Sequence, residues 1–123
     1  MKRSLDEEKP IYLQIKEQIE DMIINGTVSA GERVPSTNEF ASFYQINPAT
    51  AGKGINELVS EGILIKRRGV GMFATENAKE ILITKHRETF YDTFVRPMKN
   101  EAEKLQIDEN ELLEMLRREE QQG

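Results

Sequence analysis

Two helix starts stand eleven residues apart in this chain, a spacing that few folds can use. Ser36, Thr37, Asn38 and Glu39 form a capping box, in which the serine hydroxyl can accept from the amide three residues on and the glutamate can reach back. Asn47 followed by Pro48 is the other start: asparagine caps a helix well, and proline suits the first helical position because it has no amide to leave unpaired there. The earlier helix therefore runs only to about Tyr44, burying Phe40, Ala41 and Tyr44, and gives way at Gln45-Ile46. The later one runs from Pro48 to Glu61, stops at Gly62 and buries Ala51, Ile55, Leu58 and Val59 on one face. Its opposite face carries Ala49, Gly52, Lys53 and Asn56, small or polar side chains at helical spacing.

The flanking segments complete a small domain. Tyr12, Ile15, Ile19, Met22 and Ile23 recur three or four residues apart, which predicts a helix from Tyr12 to Asn25 closed by Gly26. Thr27 to Val34 reads as a connector with a turn at Ala30-Gly31. After Gly62 the period changes to two: Ile63 and Ile65 alternate with Leu64 and Lys66, and Arg67, Arg68, Gly69, Val70 and Gly71 lead into Met72, Phe73 and Ala74. This pattern predicts a hairpin with a basic, glycine-rich tip.

From Asn77 the pattern is helical again. Phe90, Phe94, Met98, Ala102 and Leu105 form an apolar stripe that Pro97 should kink, and Asp108 with Glu111 caps a last helix carrying Leu112, Leu113 and Leu116. The organisation expected is a domain over residues 1–76 and a helical region over 77–123. In fold class this is α+β, mostly helical: a winged helix-turn-helix followed by a short two-helix region. Two helices cannot bury that much apolar surface alone, so the stripe either packs back on the winged part or completes a bundle with a second copy. Two-fold dimers are the commonest oligomers, which favours the second copy.

Composition removes several function classes. At 123 residues the chain has no room for two enzyme-sized domains, and it has no cysteine for disulfides, thiolate nucleophiles or zinc. The start MKRSLDEE lacks a signal-peptide hydrophobic region and the longest apolar runs are far below membrane-spanning length, so the expected location is cytoplasmic, with no membrane partner. His86 is a lone histidine on a mixed face, read as solvated rather than metal-binding. The carboxylates lie among lysines and arginines on amphipathic faces, as solvated charges do, so no catalysis, metal or cofactor is expected. The net charge of −5 is unusual for a nucleic-acid binder, but the window from Gln45 to Phe73 holds Lys53, Lys66, Arg67 and Arg68 against only Glu57 and Glu61.

In a winged helix-turn-helix the later helix enters the major groove while the hairpin lies over neighbouring phosphates or the minor groove. The candidate DNA contacts are accordingly Ser36, Asn38, Asn47, Ala49, Thr50, Lys53, Arg67, Arg68, Gly69 and Gly71. The candidate dimerisation residues are Phe90, Phe94, Met98, Leu105, Leu112, Leu113 and Leu116. Plainer readings stand beside these. Ser36 and Asn47 are helix caps first, and each can also present free amides to a phosphate. Thr50, Lys53 and Asn56 could be a solvated face, and Arg67 and Arg68 could be charges that keep an edge strand from aggregating. Gly69-Val70-Gly71 lacks the third glycine and the following helix of a nucleotide-binding loop.

The residues from about 9 to 75 resemble the GntR family of bacterial transcription regulators. The likeness rests on Pro10-Ile11-Tyr12, Gln14-Ile15, Asn25-Gly26, the run Ala30 to Ser36, the Asn-Pro-Ala-Thr run from Asn47, Glu57-Leu58, Glu61-Gly62-Ile63 and Gly69 to Phe73. Asn-Pro at the start of the later helix, and only about 45 residues beyond the wing, are similar to the YtrA subfamily. The resemblance implies a homodimeric repressor on a palindromic operator, with double-stranded DNA and a second copy as partners. It identifies no small-molecule effector, for which a cleft between the winged part and the tail helices would be the place. The family pattern has arginine where Asn38 stands, and often another where Pro48 and Ala49 stand. Either the operator is read more through thymine methyls and shape, or affinity is low. Gly52 and Gly54 each cost a helix about 1 kcal/mol relative to alanine, which suggests a loose reading helix. A winged protein-interaction module is the rival reading, distinguished by the absence of salt-sensitive DNA binding.

Overall fold

The computed structural model describes Leu5 and residues 7–120. It divides into two compact units, Met1–Lys85 and His86–Gly123. In the first, helix α1 (Ile11–Ile24), strand β1 (Arg33–Val34), helix α2 (Thr37–Tyr44), helix α3 (Pro48–Ser60) and strands β2 (Leu64–Arg67) and β3 (Gly71–Ala74) precede helix α4 (Ala78–Phe90), which crosses the boundary between the units.

The local signals explain the helix ends. Ser36 Oγ accepts the Glu39 amide at 3.1 Å, and the Glu39 carboxylate accepts the Ser36 amide, closing the capping box. Asn47 Oδ1 accepts the Ala49 amide at 2.8 Å, with Pro48 at the first helical position. At the far end of α3, Gly62 takes the left-handed conformation with φ 78°, and the Ile63 amide reaches back to the Leu58 carbonyl.

One core cluster fills the unit: Ile15, Ile19 and Ile23 from α1, Phe40 from α2, Ile55 and Leu58 from α3, and Leu82 from α4, among others. Full burial of side chains of this size contributes roughly 1.5–3 kcal/mol each. Tyr44 and Val59, expected in the core, are only partly buried. The Tyr44 hydroxyl instead donates to Gln18 at 2.8 Å, keeping its polar end paired while the ring packs against the core.

The expected hairpin is part of a three-stranded antiparallel sheet in the order β1-β3-β2. The end of the supposed connector adds β1 to the free edge of β3, pairing Arg33 with Phe73 and Val34 with Met72. Two residues are too few to show an alternating pattern. Within the hairpin, Ile63 and Leu64 are both buried and Ile65 is exposed. Ile63 belongs to the helix-closing turn, so the pleat begins one residue later than the isoleucine spacing suggests.

The second unit holds the end of α4, a π-helical segment Tyr91–Val95, helix α5 (Arg96–Lys104) and helix α6 (Glu109–Arg117). Pro97 has no amide to donate to the carbonyl four residues back, and the irregularity it causes is the widened turn immediately before it. Asp108 caps α6 by accepting the Glu111 amide at 2.9 Å.

Candidate nucleic-acid interface

A cleft of roughly 340 Å³ opens between the start of α2, the middle of α3 and the β2–β3 hairpin. Five of the candidate DNA residues line it: Ser36, Asn38, Arg67, Gly69 and Gly71. The other five lie outside it. Asn47, Ala49, Thr50 and Lys53 occupy the cap and first two turns of α3, and Arg68 stands exposed in the hairpin turn.

That turn is short because the Val70 amide donates to the Arg67 carbonyl at 2.9 Å, closing the loop over Arg68 and Gly69. The hairpin register sets Arg67 opposite Gly71 and Lys66 opposite Met72. The Arg67 guanidinium carbon sits 4.9 Å from the centre of the Phe73 ring, a cation–π contact that stiffens an otherwise exposed side chain.

Four cleft residues with charged or hydrogen-bonding side chains are not among the candidates read from the sequence: Arg33, Thr37, Asn56 and Lys66. Asn56 follows from the helical spacing of the outer α3 face, and Lys66 from the basic window. Arg33 required knowledge of β1. Its guanidinium donates to Glu39. That hydrogen bond is the main reason the Glu39 carboxyl lies below the usual carboxylate range; slight burial opposes it, and the bond to Ser36 assists.

The acidic residues in and just after α3, Glu57 and Glu61, are engaged elsewhere. Lys16 on α1 binds Glu57 at 3.3 Å and Glu61 at 2.7 Å, and Lys85 on α4 binds Glu61 at 3.1 Å and the buried Glu20 at 2.9 Å. Burial works against the charges of Lys16 and Glu61. Their mutual hydrogen bond, joined by those of Glu57 and Lys85, outweighs it, raising the Lys16 pKa and lowering that of Glu61. Neither Glu57 nor Glu61 lines the cleft, whose cations are Arg33, Lys66 and Arg67. Such a surface is chemically suited to a polyanion.

The expected looseness of α3 is corrected at one of its two glycines. A Cβ on Gly54 would collide with the Tyr12 carbonyl oxygen and sit 3.4 Å from the Lys16 amide nitrogen, so this glycine allows α1 and α3 to touch backbone to backbone. Gly52 has no such need, since a Cβ there would meet only the Thr37 methyl at an ordinary 3.6 Å.

In the second unit, the rings of Phe90 and Phe94 pair at 5.4 Å and both are exposed. Met98 and Leu112, partly buried, line an apolar cleft of roughly 450 Å³ between α5 and α6, together with Val95, Ala102 and Ile107. Leu105, Leu113 and Leu116 are exposed and lie outside it. Among the described residues no group of three or more His, Cys, Asp and Glu could hold a metal ion, and no helix is long and apolar enough to cross a membrane.

Residues 11–74 match the model of the bacterial regulatory proteins, gntR family. The chain is 39% identical over 74 residues to the HTH-type transcriptional repressor YtrA of Bacillus subtilis, a stretch covering 60% of this chain and 57% of that one, so the match spans little more than half of that relative. Its fold is similar to that of a GntR family transcriptional regulator from Listeria monocytogenes, with a TM-score of 0.75 and 30% identity over 94% of this chain and all of the other. The DNA-binding domain of AraR, solved in complex with operator ORE1, superposes with a TM-score of 0.52 and 31% identity over 61% of this chain and 94% of that domain. With its winged architecture and a family match over more than half its length, the chain belongs to the gntR family of bacterial regulatory proteins.

Proposed function

We propose that this protein represses transcription by occupying an operator as a homodimer, with α3 of each copy entering a major groove and the hairpin resting on adjacent phosphates. The observation that carries the reading is the cleft in which the α2 start, α3 and hairpin meet, lined by three cations while Glu57 and Glu61, at the end of α3, are paired with lysines of α1 and α4. Thr50 and Lys53, with Ala49, form the groove-facing start of α3; Arg67, Arg68 and the backbone at Gly69 and Gly71 meet phosphates. Ser36 and Asn47 cap helices whose first amides favour an anion, and Asn38 lies beside Ser36 in the same cleft. The operator complex of the AraR domain and the repressor role of the Bacillus relative support this reading.

Exposed Phe90, Phe94, Leu105, Leu113 and Leu116, with the half-covered Met98 and Leu112, supply the dimer surface. A two-fold dimer fits a palindromic operator, with repression by steric occupancy in the cytoplasm. Fluorescence anisotropy of a labelled duplex from upstream of its own coding sequence, at two salt concentrations, tests the reading. Binding that weakens steeply with salt is expected; binding that is absent or insensitive to salt overturns it in favour of a protein-interaction module.

A further inference from the structure

Arg33 stands on the two-residue strand β1, whose other member, Val34, points into the core, so the pleat turns Arg33 outward. Two features fix where its side chain goes. On one side is Gly71 of β3: a Cβ there would come within 2.9 Å of Arg33 Nε and 3.7 Å of its Cδ and Cζ, so the guanidinium stem lies flat across the bare glycine backbone. On the other is Glu39, which accepts from Nη2 while its carboxylate also takes the Ser36 amide. The guanidinium thus bridges the hairpin and the first turn of α2 along the wall of the cleft.

Stability does not account for this arrangement. Both partners are close to half exposed, and an exposed ion pair adds little to folding. Placement accounts for it better: Glu39 engages one nitrogen of a planar fork that carries five N–H donors, a geometry that matches phosphate oxygens. Beside it Asn38 contributes no charge, and Arg67 reaches the cleft from the hairpin with its guanidinium over Phe73.

We infer that Arg33 is a backbone-phosphate contact of the DNA interface, with Glu39 as its positioning residue and the missing side chain of Gly71 as its track. The inference rests on the operator-binding reading above. It assigns to the wall between α2 and the hairpin a contact separate from those at the start of α3 and at the hairpin tip.

The test is anisotropy with the full-length protein and its upstream duplex across about 50–200 mM salt, for wild type, Arg33→Gln and Arg33→Lys, with thermal melts to verify that each variant is folded. Loss of one phosphate contact lowers the slope of log K against log salt by about 0.9. Arg33→Gln is expected to show that drop with roughly tenfold weaker binding at the lowest salt. Arg33→Lys, which keeps the charge and loses the fork, is expected to retain the slope. A folded Arg33→Gln protein with the wild-type slope overturns this inference alone. Wild-type protein without salt-dependent binding overturns the operator-binding reading and this inference with it.

Discussion

The ammonium nitrogen of Lys53 lies 3.9 Å from the centre of the Tyr12 ring, tying the outer face of α3 to the start of α1. Lys53 remains exposed, and a cation–π contact at such a site contributes on the order of 0.5–1 kcal/mol, enough to favour holding the charge beside the outer face of α3. If Lys53 and Arg68 each neutralise a phosphate, the double variant Lys53→Ala/Arg68→Ala loses close to two units of salt slope, about 0.9 for each contact. Anisotropy across a salt series measures it, and a slope equal to that of wild type would refute both assignments.

The two glycines of α3 should respond oppositely to alanine. At Gly52 the added methyl meets only the Thr37 methyl, and relief of glycine's backbone entropy should stabilise the fold by about 0.5–1 kcal/mol. At Gly54 the methyl strikes the α1 backbone, which cannot move without disturbing Ile15 and Ile19, so a loss of about 1–3 kcal/mol is expected. Urea titrations of both variants give the comparison. A Gly54→Ala protein as stable as Gly52→Ala would mean that α1 and α3 do not approach as described.

The bridges of Lys16 and Lys85 to Glu61 set a pH window. The lowered pKa of Glu61 means that its contribution is present above its ordinary value of 4.5 and lost as pH falls through the lower folded value. The raised pKa of Lys16 means that its contribution is complete below 10.5 and lost as pH climbs through the higher folded value. Glu61→Gln should therefore flatten the acid limb of stability against pH. At neutral pH it should cost no more than about 1 kcal/mol, because Glu61 is a third exposed and water screens it. An acid limb unchanged from wild type in urea melts at several pH values would exclude Glu61 as its source.

Much of the winged unit was legible because its signals are local. The Ser36–Glu39 box, the Asn47-Pro48 start and the Gly62 stop each act within one turn of chain, and the helices begin and end beside them. What could not be read depends on partners distant in sequence. β1 exists because β3 has a free edge, Gly54 is explained only by Tyr12, and Leu64 faces inward because Ile63 is taken by the end of α3. The same division runs through the candidate site. Arg67 and Gly69 announce themselves beside a turn, whereas Arg33 enters the cleft only through strand pairing with β3 and its bond to Glu39.

Phe94 offers the most direct probe of the proposed dimer surface. Its side chain is 62% exposed and its ring leans on that of Phe90, itself 55% exposed, so both rings meet water in a single copy. Water-exposed aromatic pairs on a helical segment are costly unless a partner covers them, and an aspartate buried in their place would carry a desolvation penalty of several kcal/mol. Phe94→Asp should therefore shift the light-scattering mass from twice that of the chain to that of one chain. The circular dichroism of the helices should stay near wild type, because Phe94 is mostly exposed. Operator affinity should fall as well, because a single winged unit engages one half-site without the second. A variant that remains dimeric would locate the association surface away from the π-helical turn and leave Leu112, Leu113 and Leu116 of α6 as the next residues to substitute.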